Sequence, residues 1–292
     1  MITNYAHFYP MKGTPINPST SKRKKANLIQ NLRRLDSVLV AFSGGVDSAF
    51  LSSVAHEALG EKALAVTASS PIHPAEEKAA AVDFAQTTGI PHVVIDSDEM
   101  SLPEFLANGP DRCYHCKKAL ARKLAGVAKE RGIRHMVHGA NTDDLSDYRP
   151  GFRAAQESGL TAPLIETALG KAEIRFLARE MGLSVWDRPA DACLVSRLPY
   201  GSPITTEKLQ MIESAEAFLR GKGLGGLRVR HHGAMARVEA DGDSFQRMTD
   251  QALREEIVER FRAIGFVHIA MDLEGYLPGK MNRELSRETR FS

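Results

Sequence analysis

The chain has 292 residues, of which 43% are hydrophobic and 25% charged; this is the balance of a folded globular protein and excludes a disordered, collagen-like or coiled-coil chain. Its length exceeds one average domain and predicts two. A formal net charge of +2 is too small to predict a nucleic-acid partner, and no apolar run approaches the roughly 20 residues of a membrane helix.

The first residues lack the basic-then-apolar order of a signal peptide, so a cytoplasmic location is expected. Residues 1–25 read as a polar leader; its basic cluster, Lys22 to Lys25, suits a solvated segment or the start of a surface helix better than an RNA contact. Ser37 to Phe42 is a short β-branched strand, followed by a glycine turn and a helix from Ala49. A strand over Ala63 to Thr67 precedes a helix opening near Pro74, with Glu76 and Glu77 in its first turn where the helix dipole favours acids. Val93 to Ile95 is a third strand, Lys117 to Arg131 a helix, and His135 to His138 a fourth strand ending at Gly139. Alternation of this kind predicts an α/β fold, a parallel sheet with helices on both faces, over residues 26–185. Ligands of such sheets bind beyond the carboxyl ends of the strands, so the loops after Phe42, Thr67 and His138 should meet at one site. Residues 186–203, with Pro189, Pro199 and Pro203, read as a linker carrying Cys193. From 204 to 292 the pattern changes to a helix through Leu219, strands at Leu227 to His232 and Ala236 to Ala240, a long helix and a last strand at Val267 to Met271, which predicts a smaller α+β domain.

Ser43-Gly44-Gly45-Val46-Asp47-Ser48 lies between the first strand and its helix. Paired glycines there let successive N–H groups turn inward as an anion nest at a helix N-terminus, which suits phosphate. Ser43 and Ser48 add hydroxyls, and Asp47 implies a magnesium ion, since a bare carboxylate and a phosphate repel. The full string resembles the signature of the PP-loop ATP pyrophosphatases. The resemblance implies ATP as ligand, with cleavage between its α- and β-phosphates. A Walker-type Gly-Lys-Ser/Thr ending is absent, which sets aside γ-phosphoryl transfer.

Cys113 and Cys116 lie three apart with Lys117 next, and Cys193 stands alone in Ala192-Cys193-Leu194-Val195-Ser196-Arg197. An odd set of three leaves one thiol without a disulfide partner. The first pair suits half of a zinc site with His115 or a redox disulfide. Between these cysteines, Gly139 to Gly151 is too polar for a core strand and should line the site. With these pieces the chain, from about Ala26 to about Leu285, resembles the LarE family of ATP-dependent sulfur transferases. That resemblance implies adenylation of a carboxylate on a nicotinate-derived pyridinium biscarboxylate mononucleotide, followed by displacement of AMP by sulfur on the way to the nickel-pincer cofactor of lactate racemase. It assigns the sulfur to Cys193, and the three-cysteine pattern is similar to the variant that holds a four-iron four-sulfur cluster on Cys113, Cys116 and Cys193.

The same resemblance assigns Lys117 to the catalytic centre, and Thr67, Gly139, Asn141, Asp144 and Arg149 to the nucleotide. Arg228 and Arg230, two apart on one strand face, are similar to the family's substrate-phosphate contacts, with Glu216, Ser196 and Arg197 as neighbours. Lys171 and Arg175 lie one helical turn apart, near the site or merely solvated. A sulfur-supplying protein and a homo-oligomer are expected. An amide-forming synthetase of NAD or GMP type, or a tRNA-thiolating enzyme, would use the same loop; the first leaves the cysteines idle and the second needs a basic RNA surface. A non-catalytic metal-binding module does not account for Ser43 to Ser48.

Overall fold

The computed structural model describes residues 16–146, 150–189, 192–277 and 279–284. A five-stranded parallel sheet has the order β3-β2-β1-β4-β5, with β1 Val38–Ala41, β2 Ala63–Ser69, β3 His92–Asp96, β4 His135–His138 and β5 Leu160–Thr161. Strand order reverses between β1 and β4, which opens a crevice at their carboxyl ends, where such sheets bind ligands. The helices connecting these strands are α1 Pro18–Arg33 ahead of β1, α2 Val46–Leu59, α3 Ala75–Thr88, α4 Pro103–Leu106, α5 Arg112–Glu130, α6 Pro150–Glu157, α7 Pro163–Glu166 and α8 Lys171–Glu180. One layer, built on α1, α2 and α8, shares a core with the strands through Leu28, Leu32, Phe50, Val54, Ile174 and Leu177. On the other face α5 and α6 contribute Ala121, Leu124 and Ala155 against Leu39, Leu64 and Val66.

The leader reading ends earlier than expected. Asn17 caps α1, accepting from Ser19 N at 3.1 Å and Thr20 N at 3.3 Å, and Pro18 follows at a position where its missing N–H costs nothing. Within this helix Lys22, Lys24 and Lys25 pair with Glu180, Glu173 and Glu57, so the basic cluster fastens α1 to its neighbours. Helix α5 likewise starts five residues before the expected Lys117, which puts Cys113 in its first turn and Cys116 at the start of its second.

Beyond residue 203, α9 Thr206–Gly221, β6 Arg228–His232, β7 Met235–Glu239, α10 Gly242–Arg247, α11 Gln251–Ile264 and β8 His268–Met271 build the second unit. Here β6 and β7 are antiparallel while β7 and β8 are parallel, over a core of Leu219, Val229, Val238, Phe261 and Phe266. The supposed linker is packed: Leu194, Val195 and Leu198 are buried with Ile72 and Phe105 from the first unit and Leu209 and Ile212 from α9. That junction is an apolar core in its own right, and Cys116 and Cys193 lie against it.

Gly139 shows how closely the layers meet. A Cβ at this position would lie 2.8 Å from Ser48 N and 3.0 Å from Ser48 Cα, so the end of β4 can touch the start of α2 only with glycine. Gly139→Ala is expected to destabilise the protein by about 1–3 kcal/mol through overpacking, read by urea unfolding, and to weaken ATP binding; wild-type stability and affinity would show that this approach is not constrained.

Candidate active site

The loop after β1 is organised around Ser48. Its hydroxyl accepts from Ser43 N at 3.2 Å and donates to Gly45 O at 3.0 Å, and Ser43 Oγ lies 3.1 Å away. Gly44 has φ +76°, and an added Cβ would press on Ala81 at 3.3 Å; only glycine takes that turn without strain. No side chain caps the start of α2 at Gly45, which leaves the helix N-terminus to an anion.

Asp47 is split between two environments. Oδ2 is paired with Lys171 Nζ at 2.5 Å, whereas Oδ1 is buried with no partner. Burial raises its pKa, and Lys171 opposes the rise. The unanswered oxygen fits a cation arriving with ATP, as magnesium does. Lys171 belongs to α8, whose first N–H donates to Asp143 Oδ2 at 2.6 Å. The loop after β4 is thereby docked on α8: Asn141, 2% exposed, accepts from Asp143 N and donates its own N–H to Asp144, both at 2.9 Å. Arg175, one turn on, instead holds the chain carbonyls of Trp186 and Arg188. Arg149 lies outside the described residues.

A cavity of about 620 Å³ opens beyond the strand ends, lined by Ser43, Thr67, Ser69, Asp96 and Lys117 from the first unit and by Thr206, Gln210 and Glu213 from α9. This volume suits a nucleotide-sized ligand. Thr67 faces it with its hydroxyl engaged, donating to Phe42 O at 2.9 Å and accepting from His92 Nε2 at 2.8 Å. Glu213 accepts from Ala75 N at 2.7 Å, so both units border the cavity and are joined at its rim.

The three cysteines come from two segments that the structure draws together. Asn108, fully buried at φ +57°, donates to Pro199 O and Ser202 O at 2.8 Å each and accepts from Arg112 at 2.5 Å. Arg112 in turn stacks over the Tyr200 ring at 4.3 Å. Leu194 N donates to Ile72 O at 2.8 Å. All three thiols are free, with Cys113 exposed and the other two partly buried. They are close enough to act on one another: burial pushes the Cys116 thiol up, helped by Cys193, Glu99 and Cys113, and burial pushes up Cys193, helped by Cys113 and opposed by Arg112 and Arg197. Among the described residues no three metal-ligating side chains stand in a ready coordination geometry.

Arg197 is a structural centre of the cysteine loop. With no exposed surface, it forms a bidentate pair with Glu216 of α9, Nε to Oε1 and Nη2 to Oε2, both 2.9 Å. Its Nη1 donates to the carbonyls of Ala192 and Cys193 and to Ser196 Oγ. Glu216 also accepts from Val229 N at 3.0 Å. Arg230, 5% exposed, pairs with Glu239 at 2.6 Å and donates to Ser196 O at 2.7 Å. Arg228, more exposed, stacks over Tyr276 at 4.8 Å. Of the residues expected to meet substrate, then, Arg197, Glu216 and Arg230 brace the cysteine segment. Sequence reasoning missed Asn108 and Glu99; Asn108 has a signal in the Asn-Gly-Pro turn before α5, and Glu99 has none. Glu99 is 1% exposed and accepts from the Ser70 and Ser97 hydroxyls on two cavity-lining loops.

This glycine loop, set between a central parallel strand and an uncapped helix, defines the chain as a PP-loop nucleotide-dependent enzyme. The NAD synthase family model matches residues 23–145, the half that carries the loop. A pyridinium-3,5-bisthiocarboxylic acid mononucleotide synthase of Lactiplantibacillus plantarum is 34% identical over 92% of this chain and 97% of its own. An uncharacterized Synechocystis protein is 42% identical over 90% of this chain and 98% of its own, and a tRNA-specific 2-thiouridylase of Xanthobacter autotrophicus is 30% identical over 68% and 60%. The chain belongs to the LarE family of ATP-dependent sulfur transferases.

Removing one partner from a buried ion pair leaves the other charge unanswered. Glu216→Ala is therefore expected to cost about 3–5 kcal/mol in urea unfolding, and Arg228→Ala under about 1 kcal/mol, the range of surface changes. Equal effects of the two would contradict the distinction between a buried bracing pair and a more exposed arginine.

Proposed function

We propose that this protein uses ATP to adenylate a carboxylate of pyridinium-3,5-biscarboxylic acid mononucleotide and then replaces AMP with sulfur, giving a thiocarboxylate for the nickel-pincer cofactor. The observation that carries the reading is a PP-loop cavity bordered by Lys117, the residue after Cys116, in a chain with three free, mutually interacting cysteines that is 34% identical to a synthase named for such a product.

In this reading the pyrophosphate of ATP lies on the N–H groups of Gly44 to Ser48 and the start of α2. A substrate carboxylate oxygen attacks the α-phosphorus, the α–β bond breaks, and the nest and helix dipole stabilise the charge gathering on pyrophosphate. Asp47, through Oδ1, holds the magnesium that screens the phosphates, while Lys171 keeps the other carboxylate oxygen in place. Asn141 and Asp144, on the loop docked to α8, order the wall beside the nucleotide. Lys117 faces the reacting oxygens from α5. Arg228 and Ser196 meet the substrate's phosphate, and Arg197, Glu216 and Arg230 hold the segment that carries Cys193.

Sulfur then attacks the acyl carbon and the bond from carbon to the AMP oxygen breaks. Cys193 delivers this sulfur: its thiolate forms a thioester as AMP leaves, and loss of the Cys193 Cα proton with cleavage of its Cβ–Sγ bond then releases the thiocarboxylate and leaves dehydroalanine. Burial of Cys193 favours the thiol, while Arg112 and Arg197 lower the cost of the thiolate that attacks. Cys113, Cys116 and Cys193 would alternatively hold a four-iron four-sulfur cluster; their number and softness suit one, and it would supply a renewable sulfur nucleophile in place of the Cys193 sulfur. The related tRNA-thiolating activity is less favoured, because Lys22, Lys24 and Lys25 are engaged with acids in the fold. A sulfur-supplying protein and self-assembly complete the proposal.

The test separates the two half-reactions. In anaerobic protein, Cys193→Ala should still release pyrophosphate from ATP and the dicarboxylate mononucleotide but yield no thiocarboxylate, and its bound iron and sulfide should fall from about four each, the content of such a cluster, toward none. A folded variant lacking both half-reactions would overturn the role given to Cys193, and iron-free wild type would overturn the cluster.

A further inference from the structure

His138 is unaccounted for in the site so far. It ends β4 in register with Ala41 of β1, which is itself in register with Val66 of β2. Paired residues of parallel strands project to one face, so the imidazole shares the face of Ala41 and Val66. Both of those line the cavity, with Lys117 and Leu120 of α5 beside them. The side chain is 7% exposed and packs against the Phe152 ring at 5.8 Å. Its Nε2 is buried with no hydrogen-bond partner.

Leaving such an atom unsatisfied costs about 1–3 kcal/mol. Behind residues that line a ligand cavity the cost has an explanation if the bond forms only when ligand arrives. The neighbours select the ligand's chemistry. Burial, helped by the nearby Lys117 ammonium, pushes the imidazole down to about 4, so the ring is neutral at physiological pH. The next residue, Gly139, lies against Ser48 N at the start of α2. The ring thus lies beside an ammonium, which attracts anions.

We propose that His138 is a further catalytic residue, whose Nε2–H donates a hydrogen bond to the anionic oxygen, phosphate or carboxylate, that Lys117 attracts when ATP and substrate are bound. The proposal rests on the adenylation reading above. A neutral imidazole suits this role because it donates without placing a second positive charge beside Lys117. The bond strengthens as negative charge builds on that oxygen in the transition state, which is the condition for an interaction to accelerate the step.

The experiment uses the full chain with ¹⁵N-labelled histidines and the His138 resonances assigned by comparison with His138→Gln. Nε2 should move on addition of α,β-methylene-ATP if the oxygen is a phosphate's, or of the dicarboxylate mononucleotide if it is a carboxylate's. Binding of both ligands with no response at Nε2, singly or together, overturns the proposal. In turnover, His138→Ala should lower kcat for pyrophosphate release about 100-fold, as loss of an oxyanion donor does, with the Kd for ATP unchanged. His138→Gln, which keeps an N–H donor, should recover part of the loss. A wild-type kcat in His138→Ala, or equal loss in both variants, overturns it as well. Failure of the adenylation reading is separately visible, as absence of substrate-dependent pyrophosphate release from wild type, while the Nε2 titration still decides the contact itself.

Discussion

A guanidinium with no exposed surface has to be answered by a carboxylate, and Arg197 is answered by Glu216 through two bonds of 2.9 Å. Either charge buried alone would cost several kcal/mol. The pair therefore obliges the segment after Cys193 to stay against α9. Because Arg197 also holds the carbonyls of Ala192 and Cys193, one on each side of the Cys193 Cα, the position of the cysteine backbone follows from the position of α9. Glu216 extends the constraint to β6 through Val229 N, and Arg230 returns it to Ser196. The smaller unit is in this sense a mount for the sulfur-bearing loop.

The parallel sheet supplies the other half of the arrangement. Its strand order brings the ends of β1, β2 and β4 to one crevice, and Gly139 lets β4 meet the phosphate loop without a side chain between them. Asn108 and Arg112 then tie the first turn of α5 to the segment after Cys193. Two anchors from different units thus act on the same cysteine segment from opposite ends: Arg197 from within it and Asn108 from the loop before α5. Neither anchor needs to touch a ligand for the distance between the phosphate nest and the thiols to depend on it.

Much of this was legible in the residues. Apolar runs flanked by turns locate β1 and β2 to within two residues, because most of their residues are buried, whereas β4, with a histidine at each end, is located by the repeating strand–helix alternation. The phosphate loop was legible because few other uses exist for paired glycines followed by Val-Asp-Ser between strand and helix. By contrast, α1 was read as starting in a solvated leader, since only Leu28 and Leu32 of its later turns are fully buried apolar residues and its lysines are engaged by distant acids. Leu194, Val195 and Leu198 lack any period, so their burial at a junction gave no signal. Sequence marks Arg197, Glu216 and Arg230 as charges near a site without saying whether the partner of each is a ligand or another side chain; the structure gives each of them a side-chain partner. Glu99 and His138 are legible only in three dimensions, one by its serine partners and the other by a nitrogen that lacks one.

The central claim is that a substrate carboxylate is activated by AMP and then attacked by sulfur. It is tested most directly with the dicarboxylate mononucleotide labelled with ¹⁸O in its carboxylates, by mass spectrometry of the AMP formed in a single anaerobic turnover. Attack of a carboxylate oxygen on the α-phosphorus and later cleavage of the acyl carbon to oxygen bond carry that oxygen into AMP. The account predicts one ¹⁸O in the phosphate of AMP for each thiocarboxylate formed. Unlabelled AMP appearing together with thiocarboxylate would contradict it.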